Sequence, residues 1–279
     1  MTCGSEQARH RPLVVAHRGS SDEVAEHTLA AYRQAVADGA DAIECDVRLT
    51  RDGHLVCLHD RRLERTSSGR GVVSTKRLEE LHGLDWTSWK NPWADLDDEA
   101  DLPDPAAGSL VTVRELFTMV RDLPAPVELA IETKHPTRYS GLVERRLCAL
   151  LEEFGWHRWV DGHPPPVRVM SFSILSLRRM RRLAPAVPLA WLVSGELPLR
   201  LRRGELPPGV DIVAPSVDLV RRNPAWVALM HNRGWRVHTW VVNTADDVRM
   251  CQWLGVEAII TDRPRFAGQV LDQRPAGSP

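Results

Sequence analysis

Charged side chains stand at the ends of three predicted strands of this 279-residue chain, and three of them are carboxylates. Glu44 and Asp46 are two positions apart, so they share one face of a strand, and Glu132 ends a later strand. Three carboxylates brought to one place would repel each other strongly. A hard divalent cation relieves that repulsion, and Mg²⁺ and Ca²⁺ prefer such all-oxygen ligands. We therefore expect one divalent cation, Mg²⁺ or Ca²⁺.

Two cationic side chains and two histidines accompany these acids. Arg18 offers a planar fork and Lys134 a compact charge, which together suit the oxygens of a phosphate group. Histidines titrate near neutral pH, so His17 and His59 can each give or take a proton. Any one of these groups is commonly structural, but chance does not explain so many at consecutive strand ends. The residues indicate metal-assisted cleavage of a phosphate ester.

The elements that must position these groups alternate short β-branched apolar runs with longer amphipathic runs, the pattern of βα units around a parallel sheet. The predicted strands are Leu13–His17, Ala42–Val47, Val127–Thr133, Val167–Ser171, Val187–Val193, Asp211–Pro215, Arg236–Val241 and Glu257–Thr261. The predicted helices are Thr28–Asp38, Thr112–Arg121, Leu142–Phe154, Ile174–Leu183, Pro224–Arg233 and Thr244–Leu254. Eight strands favour a (β/α)8 TIM barrel, in which chemistry gathers at the C-terminal strand ends. A doubly wound open sheet is the alternative, but no glycine-rich nucleotide motif follows any strand.

An insertion interrupts the pattern between the second strand and its helix. After a turn at residues 51–53, Leu55–Leu58 is expected to return beside Ile43–Leu49 as a hairpin, which brings His59 beside Asp46. Residues 60–109 then form the insertion. Its small core is expected to contain Trp86, Trp89 and Trp93, followed by an acidic run at Asp95–Asp101. We expect one domain over residues 1–279, with an N-terminal tail at 1–11 and a C-terminal tail at 268–279.

The composition narrows the class of protein. With 36 basic and 37 acidic side chains, the chain has no broad cationic field for nucleic acid. Only Lys76, Lys90 and Lys134 are lysines. The five cysteines are scattered and include no C-x-x-C pair, which argues against a disulfide framework or a zinc knuckle. No apolar signal or membrane-spanning segment is present, so we expect a cytoplasmic protein.

Longer motifs carry a resemblance to a known family. In chain order they are Val14–Gly19, Ile43–Gly53, Leu58–Asp60, Ile131–Lys134, Ser171–Phe172, Thr239–Asn243 and Gly255–Pro264. The H-R-G block, the E-x-D hairpin and the H-D pair, in this order, resemble the glycerophosphodiester phosphodiesterases. That family shares a barrel superfamily with the phosphatidylinositol-specific phospholipases C. The resemblance covers most of the chain.

The resemblance implies a role for each reactive residue. His17 and His59 would be the acid–base pair, and Arg18 and Lys134 would contact the phosphate. The metal ligands would be Glu44, Asp46 and Glu132.

One motif departs from the family pattern. The family's Pro-Glu-Asn-Thr is Ala25-Glu26-His27-Thr28 in this chain. Glu26 is therefore expected to support the site from behind the residues that touch the substrate, while His27 changes local hydrogen bonding or substrate preference.

Two further residues have alternative roles. Trp240 either packs on the glycerol carbons at the mouth of the site or fills a layer of the barrel interior. Ser171 either reaches the phosphate or caps the helix that begins at Ile174, and the cap is the expected role. The arginine runs at 178–182 and 200–203 are expected to be solvated helix faces, so we expect no membrane contact.

The implied activity is metal-dependent hydrolysis of small-molecule glycerophosphodiesters to glycerol 3-phosphate and an alcohol. Two alternatives stay open: a phospholipase D-like or cyclising lyase that acts on intact lipid, and a non-catalytic barrel that binds a phosphate ligand. The sequence leaves open the alcohol, the metal, the order of the two histidines, the nucleophile and the oligomeric state.

Overall fold

The computed structural model describes residues 11–90, 108–135, 141–160 and 162–273. Nine strands lie in these residues: β1 (Leu13–His17), β2 (Ala42–Leu49), β3 (Leu55–Cys57), β4 (Glu128–Thr133), β5 (Val167–Ser171), β6 (Leu189–Val193), β7 (Ile212–Pro215), β8 (Arg236–Trp240) and β9 (Ala258–Thr261). All except β3 are parallel to their neighbours, and β1 pairs with both β2 and β9. This closure confirms the predicted (β/α)8 barrel.

Helices follow most of the barrel strands. They are α1 (Leu29–Ala37), α2 (Leu78–His82), α3 (Val113–Arg121), α4 (Leu142–Glu153), α5 (Ile174–Leu183), α6 (Leu199–Arg202), α7 (Val217–Arg222), α8 (Pro224–Asn232), α9 (Ala245–Leu254) and α10 (Pro264–Asp272). The six predicted helices are confirmed, and the side chains of Thr28, Thr112 and Thr244 accept hydrogen bonds from the first turns of α1, α3 and α9.

The prediction of a C-terminal tail at residues 268–279 is wrong for residues 268–272, which belong to a helix. Helix α10 continues to Asp272, and Val270 and Leu271 are buried against the barrel. Pro264 begins this helix, where a proline costs no hydrogen bond, and burial of its apolar face outweighs the low helix propensity of Gly268. Residues 274–279 of that tail and residues 1–10 of the N-terminal tail lie outside the described residues.

The predicted hairpin is present. Strand β3 runs antiparallel to β2, with Val47 opposite Cys57, and the Leu58 N–H donates to the Asp46 carbonyl at 2.9 Å. Gly53 makes the turn with a φ of 87°, a conformation that glycine adopts without strain. The hairpin therefore returns the chain to the strand-end face with Leu58 opposite Asp46 and His59 next in line.

Apolar residues form three clusters. The largest lies between the strands and the helices, and a smaller one fills the barrel interior with several alanines and Met170. A third belongs to the hairpin and the insertion and includes Trp86, as expected. Trp89 is half-exposed, whereas Trp93 and the acidic run lie outside the described residues. No helix of the described segments has the length and apolar character needed to cross a membrane.

Candidate active site

The three carboxylates predicted to bind metal come together on β2 and β4, at the level where β1 and β4 end and β2 continues into the hairpin. Asp46 pairs directly with Glu132 in the β2–β4 register, and Glu44 lies two residues earlier on the same face of β2. One ligand oxygen from each of the three residues lies within 4.8 Å of the others, and all three side chains are buried. Such a group of oxygens matches the ligand set of a hard divalent cation.

The electrostatics of this cluster favour a cation. Burial and the charge of Asp46 raise the pKa of Glu44 well above its usual value and that of Glu132 to about 7. Burial alone would also raise the pKa of Asp46, but the hydrogen bond from His27 and the charge of Lys134 hold it well below its usual value. Burial beside a like charge disfavours the ionised form of these two carboxyls, and a divalent cation in contact with them would favour it. The residues present thus fit a divalent ion.

Lys134 and Arg18 flank the carboxylates. Lys134 Nζ lies 2.9 Å from Asp46 Oδ1 and 2.8 Å from Glu132 Oε1, and Arg18 Nε lies 3.1 Å from Asp46 Oδ2. The Arg18 backbone N–H donates to Glu44 Oε2 at 3.0 Å, from a left-handed φ of 60°. Both cationic side chains are mostly buried. The two expected phosphate contacts therefore lie within the same cluster as the carboxylates.

His17 ends β1 and pairs with an aspartate that follows β9. His17 Nδ1 lies 2.6 Å from Asp262 Oδ1, while Asp262 Oδ2 accepts a 2.6 Å hydrogen bond from Asn243. Burial would raise the pKa of Asp262, but the hydrogen bond with His17 and the neighbouring donors lower it to about 2. An ionised Asp262 accepts a hydrogen bond from the Nδ1–H group of His17, which leaves Nε2 as the ring nitrogen that faces proton transfer with a substrate.

His59 is arranged in the same way on the hairpin side. Its Nδ1 lies 2.6 Å from Asp60 Oδ1, and the pKa of Asp60 is lowered to about 2, against the effect of burial, by hydrogen bonds from Arg65 and His59. Burial and the charges of Lys134 and Arg18, against that of Asp46, lower the pKa of His59 itself to about 4. His59 is therefore neutral at pH 7 in the absence of substrate.

Glu26 contacts cationic side chains rather than the carboxylate cluster. It accepts a 2.9 Å hydrogen bond from Arg18 Nη1 and a bidentate pair from Arg65 at 2.8 and 2.7 Å. Despite its burial, the Arg65 hydrogen bonds and the Arg18 charge lower its pKa to about 2. Glu26 thus fixes the orientation of the Arg18 guanidinium through this hydrogen bond.

His27, at the position that departs from the family motif, is buried against Asp46. Its Nε2 lies 2.9 Å from Asp46 Oδ2, and its Nδ1 lies 2.8 Å from the Tyr32 hydroxyl. The φ of His27 is 61°, in the left-handed region that asparagine and histidine enter more readily than most residues. Burial lowers the pKa of His27, so the neutral ring donates to Asp46 and accepts from Tyr32.

A cavity of about 230 Å³, the strand-end pocket, opens over the carboxylates. Its walls include both histidines, Arg18 and Lys134, and Trp240 and Phe172 form an apolar side. The rings of Phe172 and Trp240 are 5.6 Å apart and almost perpendicular. Trp240 also packs against the interior cluster of the barrel, with Nε1 donating to the Ala214 carbonyl at 2.8 Å. Both roles considered for Trp240 are therefore compatible with its position.

Ser171 does not cap the helix, so that expectation is wrong. Its hydroxyl donates to the Thr133 carbonyl at 3.0 Å and accepts from the Ser173 N–H, while the Ser173 side chain caps α5. The cap lies two residues later because Ser171 still belongs to β5. Ser171 instead ties the end of β5 to the backbone between Glu132 and Lys134.

Asp262, Asn243 and Arg65 were missed as members of the site. Asp262 directly follows the last strand, so the rule that chemistry gathers at strand ends could have identified it. Arg65 offers no such signal, because it lies in the insertion.

Comparisons with known proteins show that the chain is similar to one family over most of its length. The model of the glycerophosphoryl diester phosphodiesterase family matches residues 17–266. A Mycobacterium tuberculosis protein named "Probable glycerophosphodiester phosphodiesterase 1" is 42% identical over 95% of this chain and 94% of its own length. A Bacillus subtilis glycerophosphodiester phosphodiesterase is 31% identical over 91% of this chain and 84% of its own length. The structure of an Oleispira antarctica phosphodiesterase in complex with sn-glycerol-3-phosphate has the same fold, with a TM-score of 0.77 at 24% identity over 94% of this chain and 97% of that chain.

Proposed function

This chain belongs to the glycerophosphoryl diester phosphodiesterase family, and from that premise we propose that it hydrolyses glycerophosphodiesters to glycerol 3-phosphate and a free alcohol. The observation that carries the proposal is the carboxylate cluster flanked by two histidines, each paired through Nδ1 with an aspartate. The product bound to the Oleispira protein supports a small-molecule substrate of this class.

Glu44, Asp46 and Glu132 would hold one divalent cation, Mg²⁺ or Ca²⁺. Such an ion supplies charge neutralisation at the phosphate oxygens. Arg18 and Lys134 bind the remaining phosphate oxygens, because both present donors at the rim of the cluster. Trp240 and Phe172 pack on the glycerol carbons and exclude water from that side of the strand-end pocket.

His17 takes the proton from the nucleophile, which is water or the neighbouring glycerol hydroxyl, as it attacks the phosphorus. Asp262 forms no ion pair with lysine or arginine in the described segments, so its charge is available to stabilise a protonated His17. Asp60, by contrast, is already neutralised by Arg65 Nε at 2.6 Å. His59 therefore gives its proton to the leaving alcohol, and the phosphate anion of a bound substrate raises its pKa so that it carries this proton.

The proposal is tested by incubating the purified protein with glycerophosphodiesters and measuring released glycerol 3-phosphate. We expect turnover that chelation removes and that Mg²⁺ or Ca²⁺ restores. Glu44→Gln is expected to be inactive at metal concentrations that restore the wild type, because it loses a ligand charge. Glu196→Gln, at an exposed position, is the matched control and should keep its activity. Turnover unaffected by thorough chelation would overturn the metal assignment. Following the products by ³¹P NMR distinguishes hydrolysis from cyclisation, because a lyase would release a cyclic phosphate.

We also propose that the protein works in a reducing compartment such as the cytoplasm. The cysteines in the described residues, Cys45, Cys57, Cys148 and Cys251, are all free and buried. Cell fractionation followed by detection of the protein tests this proposal, and recovery of the protein from an oxidising compartment would contradict it.

A further inference from the structure

A second cavity lies beside the strand-end pocket. This loop pocket, of about 290 Å³, lies between the loop after β1 and the Trp89–Lys90 end of the described insertion. His17 and Arg18 line both cavities. A phosphodiester has an alcohol on each side of its phosphorus. If the phosphate sits at Arg18 with the glycerol beneath Trp240, the other alcohol enters the loop pocket.

The carboxylates of the loop pocket are already paired with other groups. Glu26 is bound by Arg18 and Arg65, and Asp262 by His17 and Asn243. Asp22 lies 3.2 Å from Arg263 Nε. Glu26 and Asp22 are thus ion-paired with guanidinium groups, and both oxygens of Asp262 already accept from His17 and Asn243, so none of the three is without a partner.

The remaining walls also disfavour a cation. Lys90 is the cationic side chain that the insertion contributes to the lining of the loop pocket. Its Nζ donates to the Ser21 carbonyl at 2.7 Å, and no carboxylate of the described part of the chain is bound to it. The Trp89 ring already carries the Arg65 guanidinium, 5.9 Å from its centroid. A quaternary ammonium needs free aromatic faces or unpaired acids, and the charge of Lys90 would repel it.

Hydroxyl groups fit this lining better. An ammonium has three N–H donors, and Lys90 uses one of them on Ser21. Paired carboxylates such as Asp22 and Glu26 keep lone pairs that accept from a hydroxyl without needing a compensating charge. A polyol hydroxyl both donates and accepts, so it satisfies this mixture of groups.

We propose that the loop pocket binds the leaving alcohol and that this alcohol is an uncharged polyol, such as glycerol or inositol, held by Lys90, rather than choline or ethanolamine. The inference rests on the proposed function. It assigns the insertion a part in substrate choice.

The test compares glycerophosphoglycerol, glycerophosphoinositol and glycerophosphocholine by initial rates of glycerol 3-phosphate release, in the wild type and in Lys90→Met. We expect kcat/KM for the two polyol diesters to exceed that for glycerophosphocholine by about tenfold, the effect of one hydrogen bond to a charged group, and Lys90→Met to remove that preference. Lys76→Met is the matched control, because Lys76 pairs with Glu80 on the exposed insertion surface and should leave the preference unchanged.

A purely structural effect of Lys90→Met would lower kcat/KM for all three diesters in the same proportion, and that result would overturn the inference. A wild-type preference for glycerophosphocholine would overturn it too. Calorimetric titration of the same diesters into the chelated protein separates this inference from the proposed function. If no diester is turned over, the proposed function fails. In that case, tighter binding of the polyol diesters, abolished by Lys90→Met, still supports the polyol site. Equal binding of all three diesters refutes it.

Discussion

Arg65 donates two parallel hydrogen bonds to Glu26, at 2.8 and 2.7 Å, and Arg65 Nε lies 2.6 Å from Asp60. One guanidinium of the insertion therefore connects the acid that orients Arg18 with the acid that orients His59. This bridge links both sides of the site without reaching the carboxylate cluster.

Replacing Arg65 by Gln is expected to lower kcat about tenfold to a hundredfold, the usual cost of losing a group that orients reactive side chains. Arg65→Lys should recover only part of this loss, because an ammonium cannot form the bidentate pair. Steady-state kinetics checks both variants. Arg62→Gln is the control, since Arg62 is exposed and pairs only with Glu64 within the described residues. Equal activity of Arg65→Gln and Arg62→Gln would show that the bridge has no role in turnover.

Asp262→Asn is expected to lower kcat by on the order of a hundredfold or more, approaching the loss in His17→Ala, while the protein stays folded. An asparagine amide can donate to His17 Nδ1 and so turns the proton-accepting nitrogen away from the substrate. Kinetics with circular dichroism as the fold control makes the comparison, with the fully exposed Asp246→Asn as matched variant. Turnover of Asp262→Asn near the wild-type rate would contradict the role of this pair.

Cation affinity is expected to rise with pH through the neutral range, because the pKa values of the two proposed ligands Glu44 and Glu132 are raised. The raised pKa of Glu132, about 7, means that this carboxyl is protonated at lower pH, and a protonated carboxyl must lose its proton before it can bind a metal. Below pH 7 the apparent affinity for Mg²⁺ or Ca²⁺ should therefore fall by up to about tenfold per pH unit for each displaced proton. Calorimetry in buffers of different ionisation enthalpy measures both the affinity and the released protons. Affinity that does not change between pH 6 and 8 would contradict the raised pKa.

His27→Ala is expected to lower the free energy of unfolding by about 1–3 kcal/mol, because it removes the buried hydrogen bonds to Asp46 and Tyr32 and leaves both groups without that partner. In addition, the left-handed backbone conformation of this position is energetically unfavourable for alanine. Urea denaturation measures the loss. His54→Ala provides the comparison, since His54 is mostly exposed and should cost little. Equal stabilities of the two variants would mean that the buried imidazole contributes nothing.

Lys134→Arg is expected to lower kcat/KM by about tenfold or more, because the ammonium lies between Asp46 and Glu132 at 2.9 and 2.8 Å, in space that a guanidinium would overfill. Lys76→Arg, on the exposed insertion surface, should be neutral. The assay is glycerol 3-phosphate release at several substrate concentrations. Unchanged kinetics in Lys134→Arg would mean that any cation suffices at this position.

The barrel could be predicted because its signals are local. Each strand is a short β-branched run, and the period of two that marks β2 also aligns Glu44 with Asp46. The short helices α2, α6 and α7 could not be predicted, because four to six residues are too few to show a helical period. Helix α10 was not predicted because proline and glycine, as in Pro264 and Gly268, usually indicate that regular structure ends.

By itself the sequence determined which reactive groups stand at strand ends, since strand periodicity and motif order are properties of neighbouring residues. Only the tertiary structure decided which group each one meets. Asp262 follows His17 by 245 positions and becomes its partner because β9 closes the barrel against β1. Arg65 reaches Glu26 only because the insertion folds back over the loop after β1. These pairs depend on barrel closure and long-range packing, which no local pattern of residues specifies.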